Sequence, residues 1–547
     1  MDQTQHKITG RDITALLILM IIAAARLFPA YTTLTATFDE PIHIADGMEW
    51  LEKGTYTLER QHPPLARIAV ALGPYLAGLR SSQPLELPAA QGNQILFSNN
   101  SYFANLRLAR LGNLPFLFLG SAVVFLWAFR WYGRAASYCA LMLFTMSPPI
   151  LGHAGLATLD MAAAATVILA LYQFVRWMEQ PSWLQTVVLG ISVAAAFLCK
   201  FSSFAFLPVC FAAVVLVVIL KQRSVFGAWK SRVARVGLAV IVAFVAVWAG
   251  YRFSRETITI TRHGAPLTSA QIDNPVYRAV FSVAEAPLPL VEFVSGIQAV
   301  YEHNRYGHGS YLLGEYRTKG WWYFFPVVLA VKTPLGLSIL AFAGLALALF
   351  RPRNSSWQQI VTATFPILIL FICMNSSINL GVRHMLVVYP LLSIAAGHIL
   401  SFAFASRRPA ITAAAFALAV WVVVDSVAAH PDYLAWFNPI ASRHPERVLA
   451  ESDLDWGQDL HRLAARLKAL GVEEVSISYF GTAPLDRVGL PSYRPLSPTA
   501  PTTGYIAISV HDLVMLNAEN GSFEWLKRYS PVEKIGKSIY LFDLAPN

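Results

Sequence analysis

A hydrocarbon core about 30 Å thick asks for roughly 20 apolar residues per helical crossing. This chain supplies run after run of that length, about eleven in all, near residues 12–30, 108–129, 135–150, 160–178, 183–199, 203–220, 236–253, 323–350, 358–374, 384–404 and 410–428. The chain is therefore expected to be an α-helical polytopic membrane protein. Composition agrees, with 56% hydrophobic and 14% charged residues over 547 positions. The net charge of +10 would suit nucleic acid only if the cations gathered on one surface. They fall instead in short loops between apolar runs, which makes them a topology signal and argues against a nucleic-acid partner. Cys139, Cys199, Cys210 and Cys373 sit in or beside apolar runs, so no disulfide framework is implied. The first run follows Lys7 and Arg11 without a small-residue cleavage site after it, and reads as an uncleaved helix rather than a signal peptide.

Cytoplasmic loops are enriched in Lys and Arg. One set of short loops carries Lys7, Arg11, Arg130, Arg134, Arg176, Lys221, Arg223, Lys230, Arg232, Arg235, Arg351, Arg353, Arg407 and Arg408, the other only Lys200 and Arg383. The N-terminus is thus expected in the cytoplasm and the C-terminus outside. Three long polar segments, 31–107, 254–322 and 429–547, then share the outer face. Two domains are expected: a transmembrane unit over 1–428 with two large outer loops, and a small extracytoplasmic α/β unit over 429–547. In the first outer loop Pro41 to Leu51 and Leu65 to Leu79 read as interfacial helices. In the C-terminal unit the periodicities predict helices over 457–470 and 513–528 and strands over 475–480, 505–510 and 537–544, with a Pro-rich link at 491–501.

Adjacent carboxylates, Asp39 and Glu40, follow the first apolar run, with His43 beside them to contact an acceptor or sugar. Carboxylates near hydrocarbon are costly unless paired or functional. Asp39 can act as a general base on a hydroxyl, with Glu40 capping a helix or orienting a neighbour; equally, Asp39 can simply cap the helix that Pro41 begins. Asp160 opens the fourth run at the same depth. Arg110, Lys200, Lys332 and Arg383-His384 cluster at the outer boundary, where a phosphate would neutralise them, although each can also snorkel to headgroups. His62, before a Pro pair, reads as a turn or a cationic contact. Tyr301 and Tyr306, in a polar aromatic stretch with His303 and His308, suit sugar stacking. The spacing of those histidines matches no metal signature, and the acidic run Asp453 to Asp459 reads as a loop-to-helix cap.

The order Asp39-Glu40, His62-Pro63-Pro64-Leu65, Arg110 and Asp160 resembles the GT-C glycosyltransferases, in particular the phospholipid-carrier-dependent group that holds the protein O-mannosyltransferases and the bacterial aminoarabinose transferase. Tyr311-Leu312-Leu313-Gly314, Gly320-Trp321-Trp322, Lys332-Thr333-Pro334, Gly381-Val382-Arg383-His384 and Asp453-Leu454-Asp455-Trp456-Gly457-Gln458-Asp459-Leu460 extend the likeness over nearly the whole chain. The resemblance implies a GT-C fold and an inverting transfer from a polyprenyl-phosphate sugar, such as an undecaprenyl-phosphate donor, in a bacterial-type inner membrane. The acceptor would be a glycan, lipid or protein hydroxyl. The resemblance also implies that Asp39 is the catalytic aspartate, that Asp160 is the second acid of the pocket, and that His62 and Arg110 lie at the donor phosphate. Lys200, Arg383 and His384 suit the same phosphate by charge. The aminoarabinose branch has Lys where this chain has His62, and an Arg where it has Ile42, so the sugar cannot be copied from it. Fixed cations can do the work of a metal, so no cofactor is required, although a divalent cation between Asp39 and Asp160 is compatible with the residues. The rival from another class is a secondary transporter or lipid flippase. It would show two matched halves and a mid-membrane site, whereas the ionisable residues here lie at one face.

Overall fold

The computed structural model describes residues 7–81, 85, 87–221, 229–257, 261–262, 265–266, 275, 286–353 and 355–545. Arg223 and much of the second outer loop lie outside the described residues. Among the described residues, eight helices are long and apolar enough to cross a membrane, and two bent pairs raise the number to ten. Trp183–Cys199, a shorter apolar helix of 17 residues, accounts for the remaining apolar run. Large apolar side chains such as Leu216, Phe342 and Phe416 point outward, as lipid-facing surface requires.

Two runs expected as single spans are broken. Arg134–Thr145 and Pro148–Ala154 meet at 61°, and Phe324–Lys332 and Leu335–Phe350 at 119°. Each break carries proline, which removes a backbone donor and pushes the preceding residue out of helical geometry; Thr333 before Pro334 is accordingly extended. Hydropathy runs unbroken through Thr333-Pro334, so the turn is invisible to a span search.

The helix Asp160–Glu179 is the most enclosed span and gives the bundle its depth. Its 20 residues cover about 30 Å at 1.5 Å per residue. At its far end Glu179 accepts from Arg130 (2.6 Å), Trp131 (2.7 Å) and Gln358 (2.6 Å). In the first helix, Asp12 accepts from the Thr9 backbone (2.7 Å) and Tyr138 (2.5 Å) and pairs with Arg134 (3.0 Å). These carboxylates sit among the Lys- and Arg-rich termini of the helices. Asp160 lies at the opposite end.

The first outer loop folds onto that opposite end as Glu40–Lys53 and Pro64–Leu76, near the two expected helices. Pro41 and Pro64 occupy first-turn positions that need no N–H. The two helices approach so closely that a Cβ on Gly47 would overlap the Arg67 carbonyl. Arg67, buried, donates to His43 Nδ1 (3.2 Å) and Tyr56 (2.8 Å) and pairs with Asp46 (3.2 Å) and Glu59.

After the last span, Pro409–Ala428, the chain crosses the outer end before entering a five-stranded sheet. The strand order is Glu533–Ile535, Ile539–Leu544, Gly504–Ser509, Glu474–Ser478, Ser492–Pro495. The last three strands are mutually parallel and the others antiparallel. Leu460–Ala469 and the three inner strands match the expected elements. The expected link at 491–501 instead contains an edge strand, exposed throughout and ending in Pro495, a residue tolerated only at edges. The expected helix over 513–528 is a series of short turns, broken where Gly521 turns left-handed (φ 78°).

Candidate active site

Asp39 occupies the junction between the first span and the helix Glu40–Lys53. Its flanks are fixed from the far end of the chain: Thr35 N–H donates to the Gln458 carbonyl (2.8 Å) and Phe38 N–H to the Trp456 carbonyl (2.9 Å). Asp39 makes no capping hydrogen bond. Its Oδ2 accepts instead from Arg383 Nη1 at 2.6 Å, across 344 residues of sequence, and Oδ1 has no partner among the described residues. Asp39 thus holds the N-cap position without a side-chain cap bond, and Glu40 ties back to the segment before the helix, accepting from Thr37 N–H at 2.7 Å.

Arg383 is delivered by the turn Val382–Met385. Gly381 before it is left-handed (φ 91°) and lies against the Asp453 carboxylate, which a Cβ would overlap. Asp453 Oδ1 accepts from Val382 N–H (3.0 Å), and the guanidinium lies 4.5 Å from the Trp456 ring centroid. A second carboxylate, Glu451, lies 3.8 Å from Nη2, while Nε is buried without a partner among the described residues. Burial opposes the charge on Arg383, but Asp39, Glu451 and Asp160 together outweigh it and hold the guanidinium cationic. Burial pushes the Glu451 carboxyl up to about 8, with Arg383 pulling against it and Asp39 and Asp453 adding to the rise. Glu451 also has a positive φ of 39°, a strained backbone for a side chain of this size.

The second carboxylate of the pair expected from sequence, Asp160, accepts from Lys200 Nζ at 2.6 Å. The turn that leads to it is fixed by Asn113, whose side chain donates to the Leu156 (2.6 Å) and Thr158 (3.0 Å) carbonyls. Behind Asp160 stands the buried His153, with Nδ1 3.9 Å from Oδ2. His384, half-buried, is held neutral chiefly by burial and then by Lys200 and Arg383. His308 arrives from the second outer loop; burial, then His303 and Arg383, lower it to about 4.

Asp39, Asp160, Lys200, Arg383 and His384 are thus brought to one place. Several other expected site residues are engaged elsewhere. Arg110 and Glu40 are fully buried and form a two-point ion pair (2.8 Å each). Arg110 also donates to the Ala30, Leu34 and Thr35 carbonyls (3.0 Å each), so its five donors are spent and none is left for a phosphate. Glu40 accepts in addition from Ala157 N–H (2.7 Å), so both of its oxygens are engaged in buried contacts away from the cluster. Lys332 is likewise committed, donating to the Leu434 (2.8 Å) and Asp453 (2.7 Å) carbonyls. His43 is buried against Arg67, and burial followed by that cation keeps it neutral. His62 pairs with Glu59 (3.0 Å) and stands edge-on to His43, with ring centroids 5.6 Å apart. Tyr301 and Tyr306 are exposed on Val291–Tyr306 and make no contact with the cluster; the cluster's residue from this region is His308. Glu451 and His153 were not singled out from sequence, and Trp456 entered only as part of a motif, without a site role. Glu451 precedes the acidic run expected to be a cap and Trp456 lies within it; the aspartates of that run do serve structure: Asp459, for example, accepts from the N–H groups of Lys537 (2.9 Å) and Ser538 (3.1 Å). Among the described residues no three His, Cys, Asp or Glu side chains are grouped to hold a metal ion.

Residues 13–258 match the family described as dolichyl-phosphate-mannose-protein mannosyltransferase. No curated protein matches the chain. Among solved structures, the Archaeoglobus fulgidus oligosaccharyltransferase AglB, in complex with an inhibitory peptide and a dolichol-phosphate, superposes with a TM-score of 0.52 at 11% identity, over 95% of this chain and 72% of that one. The Saccharomyces cerevisiae protein O-mannosyltransferase complex Pmt1–Pmt2, bound to its sugar donor, gives 0.50 at 10% identity, over 78% and 90%. ArnT from Cupriavidus metallidurans, bound to undecaprenyl phosphate, gives 0.47 at 14% identity, over 96% and 97%. At these identities the likeness to AglB and to Pmt1–Pmt2 is one of fold, and the fold is that of the GT-C glycosyltransferases.

Proposed function

We propose that this integral membrane chain, with its GT-C glycosyltransferase fold and its mannosyltransferase-like first half, moves a sugar from a polyprenyl phosphate to a hydroxyl acceptor at the non-cytoplasmic face. The observation that carries the reading is the pairing of Asp39 with Arg383 at 2.6 Å and of Asp160 with Lys200 at 2.6 Å, at the end of the bundle opposite the Lys- and Arg-rich termini. Positive residues favour the cytoplasmic side, which supports reading this site as an outer one, in a bacterial-type inner membrane.

A sugar phosphodiester carries one negative charge, and the departing lipid phosphate carries two. The acceptor oxygen attacks the anomeric carbon, its proton passes to Asp39, and the bond to the phosphate oxygen breaks with its electron pair. A single displacement of this kind inverts the anomeric centre. Arg383, whose Nε has no partner among the described residues and whose one short ion pair there is with Asp39, and Lys200 offer fixed positive charge where the phosphate's charge grows. These cations can serve without a metal. The Asp39–Arg383 contact holds the base beside the leaving group, which aligns attack and departure.

The test is a panel of labelled polyprenyl-phosphate sugars offered to the purified chain, reading which lipid is consumed and the anomeric configuration of the product. Consumption of none, or retention of configuration, overturns the corresponding part of the reading. Arg383→Ala is expected to raise the donor KM by about 10–100-fold, the range for hydrogen bonds to a charged group, and to leave the acceptor KM within a few-fold. An unchanged donor KM would remove Arg383 from the phosphate.

Glu451 adds a pH dependence. Its folded-state value of about 8 lies above the ordinary carboxylate range, so the proton is bound more tightly in the folded chain. Stability from this group is full at low pH and is lost as pH rises through about 8. Ionisation also sets a second negative charge against Arg383, in competition with phosphate. Donor KM is expected to climb above pH 8 in the natural chain and to stay flat in Glu451→Gln. A parallel climb in both would assign it to another group.

A further inference from the structure

His153 is the buried side chain beside the site that the displacement leaves without a task. It stands on Pro148–Ala154, the short helix that turns off its span at 61°. Its side chain is 1% exposed, and both ring nitrogens are buried without a hydrogen-bond partner among the described residues. Buried polar groups are nearly always paired, and an unpaired one is costly. Leu156, Leu434 and Trp456 form an apolar cluster on this side, with the Trp456 ring 6.5 Å from the imidazole. An apolar side chain would have met no such penalty here. An unpaired imidazole at this position therefore points to a group that enters beside Asp160.

The chemistry of that group follows from what faces it. Asp160 Oδ1 is taken by Lys200 at 2.6 Å, while Oδ2 lies 3.9 Å from His153 Nδ1, too far for a hydrogen bond. A carboxylate opposite favours the tautomer with hydrogen on Nδ1, so one side of the gap accepts and the other donates. A hydroxyl answers both. With its oxygen about 2.8 Å from each atom it bridges the gap at an angle near 90°. A phosphate diester oxygen answers only one, since it has no hydrogen to give and meets the charge of Asp160. We infer that His153 and Asp160 form a subsite for one hydroxyl of the transferred sugar, with His153 as a specificity-determining contact, an inference that rests on the glycosyl-transfer reading above.

The experiment uses the full chain in lipid nanodiscs, with the polyprenyl-phosphate hexose it consumes and the series of single deoxy forms of that hexose. One deoxy donor is expected to lose about 10–100-fold in kcat/KM with the natural chain. His153→Leu is expected to lose a similar factor on the parent donor and nothing further on that one deoxy donor, whereas His153→Gln, which keeps an N–H, recovers part of the loss. Equal losses by His153→Leu on the parent and on every deoxy donor would overturn the subsite, as would a natural chain indifferent to every deoxygenation. Should His153→Leu fail to fold, His153→Gln and the deoxy series on the natural chain still decide between these outcomes. If the natural chain consumes no polyprenyl-phosphate sugar, the glycosyl-transfer reading falls and the subsite with it; turnover without the pairing of losses removes the subsite alone.

Discussion

Asp39→Asn is expected to lower the rate of sugar transfer by about 10²–10⁴-fold, the usual contribution of a positioned general base, while the chain stays folded and inserted. Asparagine has the shape of aspartate and keeps an oxygen that can accept from Arg383 Nη1, now 2.6 Å away. What it cannot do is take a proton. The attacking hydroxyl would then carry its proton into the transition state, and the loss falls on the chemical step. A single-turnover assay with donor preloaded and acceptor in excess isolates that step, and donor affinity measured beside it should move far less than the rate. Full turnover by the variant would take the base away from Asp39. Glu451, which shares Arg383 with it, would be the carboxyl to substitute next.

The two carboxylates were legible because one follows and the other opens an apolar run, where an ionised group needs a reason to be present. Their partners were not. Arg383 meets Asp39 across 344 residues, and nothing in the local sequence of either marks the other. Arg110 and Lys200 carry the same signature, a cation at membrane depth on the outer side, and meet opposite ends. A buried carboxylate, Glu40, absorbs Arg110 completely, whereas Lys200 retains some exposure beside Asp160. Periodicity cannot separate these cases, because the difference lies in which loop folds over which helix end. Spans were legible for the opposite reason, since hydropathy is summed over a window and tolerates local error. Breaks at Thr333-Pro334 and Ser147-Pro148-Pro149 escape that sum, although proline gave a local signal for both. Glu451 escapes every pattern: its role comes from a left-handed backbone in a segment that looks like connecting loop. His153 looks from sequence like one more polar residue in an apolar helix.

Arg110→Leu should act on folding rather than on donor binding, and strongly. Removing one member of a buried pair leaves the other charge uncompensated, at a cost of about 3–5 kcal/mol. Glu40 is fully buried, and loss of the guanidinium would leave its carboxylate only the Thr37 and Ala157 N–H groups and the Thr37 hydroxyl. The Ala30, Leu34 and Thr35 carbonyls would lose their donor as well, and they join the first span to the loop that carries Asp39. The variant is expected to unfold at markedly lower temperature in matched detergent. Whatever fraction folds should bind donor with nearly unchanged KM. Combining it with Glu40→Leu removes the stranded charge, so the double variant should be more stable than the sum of the two single losses allows. A phosphate-binding arginine would give the reverse pattern: near-natural melting, a raised donor KM, and no rescue by a change at Glu40. The melting temperature and the donor KM, measured on the same preparation, therefore decide whether Arg110 holds the loop that positions the base or touches the lipid phosphate itself.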